Sequence, residues 1–305
     1  MRVGKLQRCG VAERRRCEAG MLRSPRPNII NMSTKPKNTP RAVHDRGQNF
    51  LIDHAAVHAL ADAAGFQAGD AVVEIGPGPG ILTEELLSRG ARVLAVELDA
   101  RFLDDLKAKF AGQSLIIENK DINEMGNAAL AAALGVGAGG YRVAANIPYN
   151  LTSRIIERFL TEEPRPASLT LMVQREVADR LLAGAGEMSS LAVLVRTYGD
   201  PSRVRNVPRG AFRPTPKVDS AVIHIRVRTG PELSSFFGEV DKHRYFELVR
   251  AGFAAPRKKL RNTLAGFFGT PANAEEAIKK AEISENSRPE ELLPEDWLRL
   301  ARQRQ

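Results

Sequence analysis

The chain has 305 residues, more than one typical domain, and contains no apolar run long enough to cross a bilayer. Its formal charge of +9 suggests nucleic acid until the charge is located: residues 1–50 carry 12 Lys/Arg against 3 Asp/Glu, leaving 33 of each sign elsewhere. Only local clusters can therefore argue for RNA. Both cysteines, Cys9 and Cys17, lie in the basic head and the five histidines are scattered, so there is no disulfide framework and no metal-ligand spacing, as suits a reducing cytoplasmic setting.

Residues 1–45 are arginine-rich with few large apolar side chains and are expected to form a disordered basic N-terminal extension. They hold no continuous apolar segment of the secretory type. Their composition would suit an organellar presequence, but the simpler reading is an over-long gene model with Met21 or Met32 as the start. Gln48 to Leu51 then leads into an amphipathic helix, about Asp53 to Gly65. Beyond it strands alternate with helices: strand 71–76, helix 81–89, strand 92–98, helix 100–110, strand 115–120, strand 142–147, helix 152–162 and strand 168–173. Such alternation predicts a doubly wound, mostly parallel α/β sheet. Gly135 to Gly140 reads as a surface loop, Val177–Leu182 and Leu191–Tyr198 as helices, and Val218–Arg226 as a late strand. From about residue 229 the pattern turns helical, over Lys242–Phe253, Arg257–Phe268, Ala274–Ala281 and Pro294–Gln303, which reads as a small appended helical domain.

The stretch Ala71-Val-Val-Glu-Ile-Gly-Pro-Gly-Pro-Gly80 combines a buried strand with a glycine turn and opens a helix, the geometry that brings a backbone close to a nucleotide-like ligand. On its own it is also compatible with an ordinary βα turn. The next strand ends in Glu97, twenty-one positions after Gly76, where a carboxylate can accept both hydroxyl hydrogens of a ribose. The dinucleotide fingerprint wants G-x-G-x-x-G, with a diphosphate on the helix N-terminus. Here the spacing is G-x-G-x-G, with Glu84 and Glu85 early in the helix, so the pattern favours S-adenosyl-L-methionine over NAD. Asp121, closing the strand from Leu115, can accept from an adenine amine, or else cap a helix.

Asn146-Ile-Pro-Tyr149 follows the fourth strand. An adenine N6 is a poor nucleophile because its lone pair is delocalised into the ring. Accepting its hydrogens on the Asn146 oxygen and the Ile147 carbonyl turns that lone pair towards an electrophilic methyl, mainly a matter of positioning and electrostatics. Pro148 stiffens the turn, and Tyr149 offers a face for an unstacked base.

Gln48-Asn-Phe-Leu51, Glu74-Ile-Gly-Pro-Gly-Pro-Gly-Ile-Leu-Thr83, Asn146-Ile-Pro-Tyr-Asn150 and Pro208 to Val222 together resemble the ribosomal RNA adenine N6,N6-dimethyltransferase family, collinearly from about Gln48 to Leu264. The Pro77-containing turn is more similar to the small-subunit (16S) branch than to the large-subunit, macrolide-resistance branch. The resemblance implies a Rossmann-like methyltransferase domain over 46–228 and a helical RNA-binding domain over 229–305. It implies that Asn49 and Leu51 cover the methionine end of the cofactor, Gly76 its backbone side and Glu97 the ribose. Asp121 would take the cofactor adenine, and Asn146 would line the cofactor site while holding the target amine. Phe212 resembles a second aromatic that sandwiches the target base against Tyr149. The implied substrate is two adjacent adenosines in a hairpin loop near the 3′ end of small-subunit rRNA, within the immature subunit, modified by a monomeric, metal-free enzyme away from membranes. Arg205, Arg209, Arg213 and Lys217 around Phe212, and Arg257, Lys258, Lys259 and Arg261 at the opening of a C-terminal helix, would then contact phosphates. Three other readings share parts of this pattern: the large-subunit branch, a non-catalytic assembly factor, and a DNA adenine methyltransferase, whose target-recognition domain has no counterpart here.

Overall fold

The computed structural model describes residues 49–147 and 151–303. The N-terminal extension, Gln48, Pro148, Tyr149 and Asn150 lie outside the described residues. In chain order, strand β1 (Phe50–Leu51) precedes helix α1 (His54–Ala64), which Asp53 caps by accepting from the Ala55 amide and Gly65 ends in the left-handed conformation. Then come β2 (Ala71–Ile75), α2 (Ile81–Ser88), β3 (Arg92–Val96), α3 (Leu103–Lys109), β4 (Leu115–Glu118), α4 (Asn127–Leu134), β5 (Tyr141–Asn146), α5 (Thr152–Thr161) and β6 (Ser168–Gln174). The second half runs α6 (Arg175–Leu182), α7 (Ser190–Tyr198), β7 (Gly199–Val207), β8 (Phe212–Arg213), β9 (Ser220–Val227), α8 (Gly230–Phe237), α9 (Lys242–Phe253), α10 (Leu260–Thr263), α11 (Ala265–Phe268), α12 (Pro271–Lys280) and α13 (Pro294–Ala301).

Seven strands form one sheet in the order β4-β3-β2-β5-β6-β9-β7, parallel from β4 to β6, with β9 antiparallel to both its neighbours. The chain winds outward from β2 to β4 and returns on the other side at β5, so the order reverses between β2 and β5. Ligands of such sheets bind at that point, beyond the carboxyl ends of the strands. β2 is buried over its whole length because helices cover both faces, which is why it reads as a nearly continuous apolar run. One face packs on Leu60, Leu86, Phe102 and Leu106 from α1, α2, α3 and the turn before it; the other packs on Leu130, Ile155 and Phe159 from α4 and α5.

Four features depart from the sequence expectations. α4 went unseen because its Ala-Ala-Leu-Ala-Ala-Ala run has no polar face to set a period. β7 holds a glycine, a proline and two arginines; it is an edge strand paired only with β9, and Pro201 is tolerated there. α8, opened by Pro231 and a Thr229–Glu232 capping box, also went unseen. The single helix expected over 257–268 is instead a turn followed by two short helices: the Leu260 amide donates to Ser287 O at 2.9 Å, holding Lys259 extended.

The C-terminal helices do not build a separate core. Tyr245, Leu248, Leu260 and Trp297 share one apolar cluster with Val195, Ile223 and Ile225 of α7 and β9. α9 and α13 meet closely at Gly252, where an added Cβ would lie 2.3 Å from the Trp297 ring.

Candidate active site

The glycine turn after β2 sits at the reversal of strand order. Gly76, Gly78 and Gly80 all have positive φ (65°, 52° and 80°), which side-chain-bearing residues adopt at a cost. The Gly76 amide donates to Val96 O and the Gly80 amide to Pro77 O, each at 2.9 Å. The outer two glycines serve different ends. A Cβ on Gly80 would strike Leu106 and Phe110 at 2.8 Å, so this glycine lets α2 dock; a Cβ on Gly76 would meet nothing within 4 Å and would project into open space. That space opens on a narrow cleft lined by Phe50, Leu51, Glu74, Gly76, Gly78 and Asn146.

Register places three polar side chains on one face of the sheet here. Glu74 pairs with Ala95 on β3 and Ala144 on β5. Glu97 and Asn146 each lie two residues further along, on the same side and one pleat nearer the carboxyl edge. Glu97 is 6% exposed; its Oε2 accepts from the Gly78 amide at 3.0 Å and its Oε1 from the Asp99 amide at 2.8 Å. Two backbone donors leave acceptor capacity on both oxygens for a pair of hydroxyls. Burial pushes the Glu97 carboxyl above its usual range, against those two bonds, while neighbouring Asp99 pushes it further up. The Asn146 Nδ2 donates to Asn49 O at 3.3 Å. With its donor end held there, the Asn146 amide presents its oxygen as an acceptor.

Asp121 takes the capping role with one oxygen and keeps the other open. Its Oδ1 caps the short turn Ile122–Glu124, accepting from the Asn123 amide at 2.8 Å and the Asn123 Nδ2 at 2.9 Å. Its Oδ2 has no hydrogen-bond partner among the described residues. Arg158 on α5 anchors this loop, its Nη1 donating to Ile122 O and to Met125 O. Leu98, next in the chain after Glu97, is 60% exposed, and its carbonyl accepts from Asn119 Nδ2 at 3.3 Å.

An open glycine cradle, a hydroxyl acceptor, an amine acceptor and a recessed amide oxygen together fit a nucleoside sulfonium and a second amine. The comparison with known proteins decides the class. The ribosomal RNA adenine dimethylase profile matches residues 41–305, nearly the whole chain. The chain belongs to the ribosomal RNA adenine dimethylase family. It is 39% identical over 261 residues to a ribosomal RNA small subunit methyltransferase A from Dehalococcoides mccartyi, covering 85% of this chain and 87% of that protein. A namesake from Anaeromyxobacter is 38% identical over 281 residues, covering 87% and 97%. Among solved structures, 23S rRNA methyltransferase ErmE superposes with a TM-score of 0.65 at 27% identity, covering 84% of this chain and 99% of that one. A Plasmodium falciparum dimethyladenosine transferase gives 0.68 at 24% identity, covering 82% and 95%, and supports the fold.

As a ribosomal RNA adenine dimethylase the protein uses S-adenosylmethionine, and the structure gathers Asn49, Leu51, Gly76, Glu97 and Asn146 around one cleft, with Asp121 at the neighbouring strand end. Ile147 follows directly, its side chain buried. Phe212 departs from expectation. Its ring is fully buried, in the apolar cluster with Leu51 and Val207, and β8 pairs antiparallel with β1 so that Phe212 faces Leu51. Buried there, it offers no free face to a base.

The basic residues also divide. Arg209 and Lys217 are exposed and line one groove together with Arg175, Asp179 and Asp219. Arg213 is exposed, with its guanidinium turned to Phe212 O at 3.2 Å. In the second cluster Arg257 and Lys258 are exposed without ion pairs among the described residues, whereas Lys259 donates to Asn286 Oδ1 at 2.6 Å and Arg261 pairs with Glu275 at 2.8 Å. Sequence reasoning missed Phe50 and Glu74 as cleft residues. Glu74, an acid inside an apolar strand, was the signal that could have been read.

Proposed function

We propose that this ribosomal RNA adenine dimethylase acts on small-subunit (16S) rRNA, converting two adjacent adenosines of a hairpin loop near its 3′ end to N6,N6-dimethyladenosine within the immature subunit. It would do so as a monomer in the cytoplasm. The observation that carries the chemistry is the pairing of Asn146 Nδ2 with Asn49 O, which leaves an amide oxygen at the cleft beside the cofactor turn. The substrate rests on relatives 38–39% identical and named for the small subunit. Among the described residues no helix is long and apolar enough to cross a membrane, and none of the His/Cys/Asp/Glu groupings could hold a metal ion.

In this reading Leu51 and Asn49 close over the methionine end, Gly76 gives backbone access, Glu97 accepts from the ribose hydroxyls and Asp121 Oδ2 from the adenine amine. S-adenosylmethionine supplies a methyl group on a positively charged sulfur. Asn146 Oδ1 and Ile147 O accept the two N6 hydrogens of the target, which draws the lone pair out of conjugation and aims it at that methyl. The methylated amine is cationic and sheds a proton to solvent or to an adjoining carbonyl, so the site needs no dedicated base. Tyr149 stacks the flipped base on one side; Phe212 joins it when RNA entry uncovers its ring. Arg209, Arg213, Lys217, Arg257 and Lys258 hold phosphates, with Lys259 and Arg261 behind them in internal pairs.

The experiment is methyl transfer from labelled S-adenosylmethionine to unmodified small and large subunits offered separately, followed by nucleoside analysis. N6,N6-dimethyladenosine in the small subunit alone is expected. Label in the large subunit would assign the protein to the ErmE-like branch, and label in neither, with cofactor bound, would favour an assembly role.

A further inference from the structure

The roles above leave one buried acid of the cleft unused. Glu74 is 1% exposed, lines the cleft between Gly76 and Asn146, and carries an Oε2 that is sealed from solvent and meets no hydrogen-bond donor. Thr83 meets this carboxyl through its hydroxyl and backbone, yet a buried carboxylate with one oxygen left unpartnered is costly, and a strand held only by packing is served as well or better by an apolar side chain. Such an orphan in a ligand cleft calls for an explanation in the ligand.

The surroundings say what kind of ligand. From α2, Thr83 lies beside Glu74 through its hydroxyl and backbone, while Glu84 is paired with Lys109, and Glu85 with His58 and Arg89. From β3 come Glu97, a second acid close enough to raise Glu74, and Asp99, which is paired outward with Arg101. From the end of β4 comes Asp121, from β5 the neutral Asn146, and from β1 the apolar Phe50 and Leu51. Among the described residues no Lys, Arg or His forms an ion pair with Glu74 or Glu97. The floor of the cleft thus holds two acids and no basic partner, and becomes complementary to a cation when Glu74 ionises.

Methyl transfer changes that charge, because the sulfonium of the cofactor becomes the neutral thioether of S-adenosylhomocysteine. We propose that Glu74 discriminates loaded cofactor from spent product, pairing as a carboxylate with the sulfonium and holding a proton when the cleft is empty or contains the thioether. The inference rests on S-adenosylmethionine being the ligand of this cleft. The proton balance closes over a cycle: cofactor binding releases one proton from Glu74 to solvent, and loss of the sulfonium charge lets Glu74 take one back. The released product then lacks the ion pair that held the cofactor. Consistent with this, burial raises the Glu74 carboxyl to about 8, Thr83 pulling it down and Glu97 pushing it up, so the empty cleft keeps its proton at neutral pH.

Isothermal titration at neutral pH in buffers of different ionisation enthalpy tests this, with S-adenosylmethionine and S-adenosylhomocysteine titrated separately into wild type and Glu74→Gln. Wild type should release close to one proton more with the sulfonium than with the thioether. In Glu74→Gln that excess should vanish; comparison of the two proteins cancels protons carried by the ligand's own amine. The variant should bind the sulfonium about tenfold or more weakly and the thioether within about threefold of wild type. Equal proton release for both ligands in wild type would overturn the proposal, as would equal weakening of both by the variant. Should Glu74→Gln fail to fold, the wild-type proton count decides alone. If wild type binds neither ligand, the cofactor reading itself falls and takes this one with it.

Discussion

Asn146 and Glu74 show how much depends on single acceptors. In Asn146→Ala the target amine loses one positioned oxygen, with a loss of transition-state stabilisation of at least ~2.7 kcal/mol, about a hundredfold in turnover. The dissociation constant of S-adenosylmethionine should move much less, and single-turnover methylation beside equilibrium binding separates the two. Glu74 makes a pH prediction for the ligand-free chain. Burial raises its folded carboxyl from about 4.5 to about 8, so between those values the folded chain holds a proton that the unfolded chain has released. Its contribution to stability is therefore full below about pH 4.5 and is lost as pH rises through 8. Urea midpoints of wild type relative to Glu74→Gln should fall steadily from about pH 5.5 to 8.5; a constant difference would place the Glu74 carboxyl in its ordinary range.

Elements are placed by close approaches that few side chains permit. Gly80 lets α2 pack on Leu106 and Phe110, and Gly252 lets α9 lie against the Trp297 ring of α13. Gly252→Ala forces that ring or the helix aside, and overpacking of this kind costs about 1–3 kcal/mol. Urea unfolding should show that loss while cofactor affinity stays within error, because the contact lies among the C-terminal helices and lines no part of the cleft. The same contacts explain why a boundary near residue 229 was legible as a change of pattern but not as a change of core: amphipathic periodicity shows that α9 and α13 bury one face, not that Tyr245 and Trp297 bury theirs in the cluster shared with β9. The short strand β8 is another case. Only its pairing with β1 turns Phe212 from an available aromatic into a buried one.

For the molecule as a whole, a body with equal numbers of acidic and basic residues cannot hold RNA by net charge, so affinity must come from clusters that stay unpaired. Arg257 and Lys258 meet that condition and Arg261 does not, since Glu275 already holds it. Replacing Arg257 and Lys258 by alanine should reduce the slope of log affinity against log salt by roughly 0.7–0.9 for each, measured with a small-subunit rRNA fragment. Arg261→Ala should change the slope far less; a change equal to that of Arg257 would mean that RNA displaces Glu275.

The sequence by itself determined that the sheet is doubly wound and mostly parallel, and where the glycine turn lies, because these follow from local rules. Buried parallel strands are runs of apolar residues, left-handed turns take glycine, and an acid at the end of the next strand stands at a fixed distance from Gly76. Tertiary structure alone decided which polar atoms are already spent. It set Glu97 on two backbone amides, Asn146 on Asn49, Arg261 on Glu275 and Phe212 under β1, and it left Glu74 Oε2 without a donor. Those partners lie far apart in the chain, Asn146 and Asn49 by 97 residues and Phe212 and Leu51 by more, and no periodicity or spacing encodes a contact between strands that meet only when the sheet closes.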